Sequence, residues 1–316
     1  MTHAIKIENI TKYYRPRNVV DHVSFHVNHG EIFGLLGKNG AGKSTIINMI
    51  TGISFPTSGN VFIYGKSNSS MEAKKRMGVM PDYDTFYSSL TALDHLVYFS
   101  KLNKKKISKH QMIKTLERVG LGKDIRKKVK SFSFGMKKKL GIAQAIITNP
   151  DLIILDEPTS GLDAESVITI QHLLRELNEE GKTIFMTSHN LDEVEKLCTK
   201  VAILNNSRLM SIGTLDQLKK EYQSNIIIHI KHLPIKLADV IDIKEYLQSI
   251  TKSLHWNEES LNIVIQDDSF IPMIIKTLVH ANVDIMRMET IEPSLEDIFL
   301  SKGGSKTSDL VNWQEA

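Results

Sequence analysis

Nine consecutive residues near the N-terminus carry the strongest chemical signal: Gly37-Lys38-Asn39-Gly40-Ala41-Gly42-Lys43-Ser44-Thr45. Their spacing is G-x-x-x-x-G-K-[ST], set between an apolar strand-like run, Ile32–Leu36, and a helical pattern over 45–50. Glycines let a backbone wrap closely around phosphates because no Cβ stands in the way. Successive N–H groups, followed by a helix N-terminus, then present partial positive charge to the anion. The loop residues Gly37, Asn39, Gly40, Ala41, Gly42 and Thr45 are expected to line such a phosphate. Lys43 is expected to reach the β- and γ-phosphates, and the Ser44 hydroxyl to hold Mg²⁺.

A second apolar run, 152–155, leads directly into Asp156-Glu157. Two acids ending a buried strand sit where the C-terminal edge of a parallel sheet meets a ligand crevice. Charges there are costly unless a metal or a lysine pairs with them. Asp156 is expected to hold Mg²⁺, directly or through water, which leaves Glu157 to polarise an attacking water. His189 follows a third apolar run, 183–187, and is expected beside the same crevice, against the γ-phosphate.

These residues need a scaffold, and the chain supplies an α/β pattern. Short apolar runs alternate with amphipathic stretches up to about residue 222, as in parallel sheets covered by helices. Val167, Ile170, Leu174 and Leu177 recur at helical spacing, and Gly181 closes that element. The segment 88–130 is more helical and rich in lysine, which predicts a helical subdomain over about 88–150 inserted into the α/β core. Beyond 225 the order changes to strand (226–230), helix (Leu237–Ile250), two strands (254–256 and 261–265), helix (270–280) and strand (283–288). That β-α-β-β-α-β order predicts a small ferredoxin-like domain over 223–301. The polar stretch 302–316 reads as a loose tail.

Composition agrees with a globular chain. The 316 residues are 41% hydrophobic and 24% charged. No segment has the apolar length of a membrane span, and the first residues lack the apolar core of a signal peptide. The single cysteine, Cys198, excludes an internal disulfide, fits a reducing cytoplasm, and reads as a buried small residue. The net charge is only +4, but Lys104-Lys105-Lys106 and the stretch 123–139 concentrate basic residues. They read as a solvated helix face, with attraction to an anionic membrane surface as the functional alternative. No aromatic residues interleave with them as a base-stacking groove needs, so no nucleic-acid partner is expected.

Over residues 1–222 the sequence resembles the ATP-binding-cassette (ABC) ATPase family, which implies an α/β P-loop NTPase (RecA-like) core with antiparallel β and helical subdomains. Gly37–Thr45 matches Walker A, 152–157 matches Walker B with its glutamate, Ser160-Gly161-Leu162-Asp163 matches the D-loop, and His189 matches the switch histidine. Tyr14 matches the aromatic that stacks on adenine, with Tyr13 as its neighbouring alternative. Phe132-Ser133-Phe134-Gly135-Met136 matches the signature segment, usually Leu-Ser-Gly-Gly-Gln. The Ser133 hydroxyl and the backbone N–H groups near Gly135 keep the phosphate-binding elements, while Phe134 puts a bulky ring where a glycine is usual. The Q-loop glutamine is replaced by Asp82, which can ligate Mg²⁺ but adds negative charge. The ending Glu292-Pro293-Ser294-Leu295-Glu296-Asp297-Ile298-Phe299-Leu300 resembles that of ABC-2-type exporter ATPases.

The resemblance implies ATP and Mg²⁺ as ligands, Asp163 near the nucleotide, and a head-to-tail dimer with itself or a homologous subunit. It further implies ABC-2-type transmembrane permease subunits as partners and a place on the cytoplasmic face of the membrane. The alternative is a soluble ABC ATPase acting on nucleic acid or ribosomes. Members that act in translation carry two cassettes and those that act in DNA repair a long coiled coil. Here there is one phosphate loop, and Lys43 and Asp156 are 113 positions apart without sustained heptads between.

Overall fold

The computed structural model describes residues 3–81, 86–222, 226–234, 237–257 and 259–291. The chain divides into two compact units, Met1–Leu215 and Asp216–Ala316.

Two sheets build the first unit. Three strands form one antiparallel sheet with a short edge strand: β1 (Ile5–Tyr14), β2 (Arg17–Val27), β4 (Ser58–Ile63) and β5 (Lys66–Ser67), in the order β2-β1-β4-β5. The six-stranded sheet holds β3 (Ile32–Leu36), β6 (Met77–Met80), β7 (Leu152–Asp156), β8 (Thr183–Ser188), β9 (Lys200–Asn205) and β10 (Arg208–Gly213). Its order is β10-β9-β3-β8-β7-β6. The pairs from β9 to β6 are parallel, and β10 returns antiparallel to β9. Every residue of β3, β7 and β8 is buried, the continuous apolar signature of strands covered on both faces. Phe25 of β2 stacks on Phe33 of β3 at 5.2 Å between ring centroids, and Phe33 on Phe185 of β8 at 5.7 Å, so the two sheets share one core. Each such side chain contributes roughly 1.5–3 kcal/mol on burial.

Helices α1 (Lys43–Thr51), α6 (Ala164–Glu179) and α7 (Leu191–Leu197) connect these strands, with α2 (Met71–Lys75) before β6. The helical insertion comprises α3 (Ala92–Leu102), α4 (Lys109–Arg118) and α5 (Phe134–Ile146). Capping boxes start two of them, Thr91 with Asp94 and Ser108 with Gln111. The insertion docks through α5 on β6. A Cβ on Gly78 of β6 would fall 1.9 Å from the Ala145 carbonyl oxygen, so only glycine permits that approach.

In the second unit, α8 (Leu215–Tyr222) leads into β11 (Ile226–His232), α9 (Leu237–Ile250), β12 (Ser253–Trp256), β13 (Ser260–Ile265), α10 (Ile271–His280) and β14 (Ile285–Ile291). The antiparallel sheet runs β12-β13-β11-β14, which is the ferredoxin-like arrangement the element order predicts. Ile228, Ile230, Leu261, Ile263, Ile274 and Leu278 fill its core. Asp82, the 292–300 ending and the 302–316 tail lie outside the described residues.

Candidate functional site

Parallel pairing brings three strand ends to one edge. Leu36 of β3 lies beside Ser188 of β8, and Thr187 of β8 beside Asp156 of β7. The residues that follow these ends are Gly37, Glu157 and His189. They therefore converge for a topological reason, at the carboxyl edge where α/β sheets bind ligands.

The phosphate loop leaves β3 with its glycines in conformations other residues resist. Gly40 has φ +80° and Gly42 has φ +110°, and a Cβ on Gly42 would fall 2.5 Å from the Val19 carbonyl oxygen. The Ala41 N–H donates to the Lys38 carbonyl at 3.1 Å, and Ile46 N–H to Gly42 at 3.0 Å, which opens α1. Lys38, Asn39, Gly40 and Ser44 are exposed, while Lys43 is buried at the base of the loop. Its Nζ donates to the Gly37 carbonyl at 2.7 Å and lies 3.2 Å from Glu157 Oε1.

Glu157 is the hub. Its second oxygen, Oε2, lies 2.7 Å from His189 Nδ1; a carboxylate only accepts, so the ring carries its proton on Nδ1 there. Its backbone is at φ +51°, a left-handed conformation unusual for a side chain of this size. The Thr187 hydroxyl accepts from the Glu157 N–H at 3.0 Å and donates to Asp156 Oδ1 at 2.5 Å, which fixes both acids from the neighbouring strand. Behind them, Glu193 is buried and accepts from the Thr159 hydroxyl and from the Ser188 hydroxyl, the latter at 2.7 Å. Burial raises the Glu193 carboxyl above its ordinary range, and the negative charge of Glu157 adds to the shift, while the two hydroxyls oppose it. A cleft of about 330 Å³ opens beside this group, lined among others by Glu157, His189, Glu193, Gly161 and Leu162.

The structure thus joins Lys43, Asp156, Glu157 and His189 into one cluster. Other expected residues stand on their own elements. Tyr14 ends β1, half exposed, with Lys12 Nζ 5.1 Å from its ring; Tyr13 is as open. Ser133 caps α5, accepting from Met136 N–H at 3.2 Å, and Gly135 lies in the first turn with Leu162 close by. Asp163 caps α6, and hydrogen bonds from Ser166 hold its carboxyl below the usual range. Phe134 turns its ring onto Gly161 of its own chain, where a Cβ would meet Phe134 Cε1 at 2.7 Å. Sequence reading did not single out Thr187, Ser188, Glu193 or Lys138, although Thr187 and Ser188 carry a signal: polar residues ending an otherwise apolar strand.

Similarity to known proteins agrees with this geometry. Residues 20–160 match the family model described as "ABC transporter", and residues 213–302 match "ATP-binding protein DrrA1-3-like, C-terminal domain". The linearmycin resistance ATP-binding protein LnrL of Bacillus subtilis (strain 168) is 32% identical over 96% of this chain and 100% of its own. This chain belongs to the ABC transporter ATP-binding proteins. The bacitracin transport ATP-binding protein BcrA of Bacillus licheniformis is 34% identical, over 97% of this chain and 99% of its own. Among solved structures, "Dimeric Structure of MJ0796, a Bacterial ABC Transporter Cassette" superposes with a TM-score of 0.62 at 26% identity, covering 67% of this chain and 98% of that one. This ABC ATPase binds ATP and hydrolyses it to power transport, and relatives of this kind work as dimers with transmembrane partners. Among the described residues no helix is long and apolar enough to cross a membrane.

Proposed function

We propose that this ABC ATPase drives export through separate ABC-2-type permease subunits, held at the cytoplasmic face of the membrane by them, with Glu157 as the residue that activates water. The observation that carries the catalytic assignment is the double anchoring of Glu157: Lys43 on one carboxylate oxygen and His189 on the other. Lys43 and the loop N–H groups bind the triphosphate. Glu157 takes a proton from the attacking water, and His189 orients Glu157 and contacts the γ-phosphate. Asp156 and the exposed Ser44 hydroxyl would hold Mg²⁺, which would supply positive charge against the phosphates. Asp82 is the third candidate metal ligand.

Residues 1–222 act as the cassette, with 88–150 as its helical subdomain, and 223–301 as an accessory domain. Ser133, Gly135 and Asp163 complete the site across a head-to-tail dimer, with adenine on Tyr14. Export is supported by LnrL and BcrA, whose names describe resistance to and transport of antibiotics. The deciding experiment is Glu157→Gln in the full chain. Turnover should fall about 10²-fold or more, as for loss of a general base, while ATP binding persists and an ATP-held dimer accumulates. Normal turnover in that variant would sink the assignment.

A further inference from the structure

Lys138 is only 2% exposed, and an ammonium so deep in the protein is costly unless something fixed accepts from it. It sits on α5, the helix whose first turn is the signature segment. Its Nζ donates to the Glu157 main-chain carbonyl at 2.7 Å. The same carbonyl accepts from the Ser160 N–H at 3.3 Å, closing the turn that starts the D-loop.

That carbonyl needs holding. Glu157 has φ +51°, and Pro158 follows it, which further narrows the conformations its backbone can adopt. The Thr187 hydroxyl fixes the N–H on one side of the residue. Lys138 fixes the peptide on the other. One turn earlier on the same helix face, the Phe134 ring covers Gly161, and Lys138 Nζ lies 5.6 Å from that ring. Helix α5 therefore braces the 157–161 turn at two points, one polar and one aromatic.

We propose that Lys138 is a positioning residue that holds the strained Glu157 backbone so that its carboxylate meets the attacking water. The bulky Phe134 of the signature segment is the second half of this brace. This inference rests on the catalytic role given to Glu157 above. In the proposed dimer the first turn of α5 serves the partner's triphosphate while Lys138 serves the site of its own chain.

The test compares Lys138→Met, which keeps most of the length and removes the donor, with Lys138→Gln, which keeps a donor and removes the charge. Both are made in the full chain, with saturating turnover, ATP affinity and thermal midpoint measured separately. Lys138→Met should lower kcat about tenfold or more, as expected for losing a charged hydrogen bond. Its ATP affinity should stay within about twofold, its thermal midpoint should not fall, and Lys138→Gln should recover most of the rate. A Met variant as fast as the unaltered protein overturns the proposal. So does one whose ATP affinity and thermal midpoint fall in step with kcat, or a Gln variant as slow as Met. Should Lys138→Met fail to fold, the rate of the Gln variant at unchanged ATP affinity decides: near that of the unaltered protein it supports the donor role, and tenfold lower overturns it. Glu157→Gln separates the two claims. If it abolishes turnover while Lys138→Met turns over normally, the positioning role alone fails.

Discussion

Glu193 shows how a single side chain sets a pH dependence. Its folded carboxyl is raised above the unfolded value of 4.5, chiefly by burial. The protonated form is therefore favoured by folding, so this group's contribution is most favourable below 4.5 and is lost as pH rises through the raised value. Glu193→Gln mimics the protonated state and still offers an oxygen to one hydroxyl. Its thermal midpoint relative to the unaltered chain should rise as the buffer is taken from pH 5 to pH 7.5; a difference that falls over that range would contradict the assignment. At this scale Lys43 was legible from the spacing of the phosphate loop, and Asp156, Glu157 and His189 because each closes or follows an apolar run. Glu193, Thr159 and Lys138 were not. Their roles arise from contacts across 34 and 19 positions, Glu193 with Thr159 and Lys138 with the Glu157 carbonyl, and no local pattern announces them.

Among the elements, the loop between β3 and α1 makes a sharp demand. Gly42 has φ +110° and would bring a Cβ within 2.5 Å of backbone, so Gly42→Ala cannot be accommodated by a side-chain shift. It should destabilise the protein by about 1–3 kcal/mol and weaken ATP binding more than that, read by thermal unfolding with and without nucleotide. Behind the same strand, Cys198 packs against Gly34, and burial pushes its thiol far above the ordinary range. The native protein should resist alkylation at neutral pH and become reactive only on unfolding, which a mass-shift assay across a denaturant series would show. The parallel strands were readable because strands buried on both faces are continuously apolar. The antiparallel sheet of β1, β2 and β4 was less so: β1 changes register between Ile7 and Tyr13, which interrupts the simple alternation.

For the whole molecule, the head-to-tail dimer proposed above makes the sharpest demand, since there the partner would complete the triphosphate site. Ser133 and Gly135 sit at the N-terminus of α5, with Asp163 at that of α6. The proposed closure by a second copy would bring them to the partner's triphosphate, and electrostatics can test it without disturbing the fold. Asp is as good an N-cap as Ser, so Ser133→Asp keeps α5 intact. It also places a carboxylate where the partner's γ-phosphate would dock, and like charges at that range repel strongly in a water-poor seam. ATP should bind this variant as tightly as before, because the phosphate loop is untouched. Combined with Glu157→Gln, it should stay monomeric with Mg·ATP in sedimentation, whereas Glu157→Gln alone forms the dimer. A Ser133→Asp protein that dimerises normally would mean that the signature segment does not face phosphate, and the α5 N-terminus would then be only a well-capped helix.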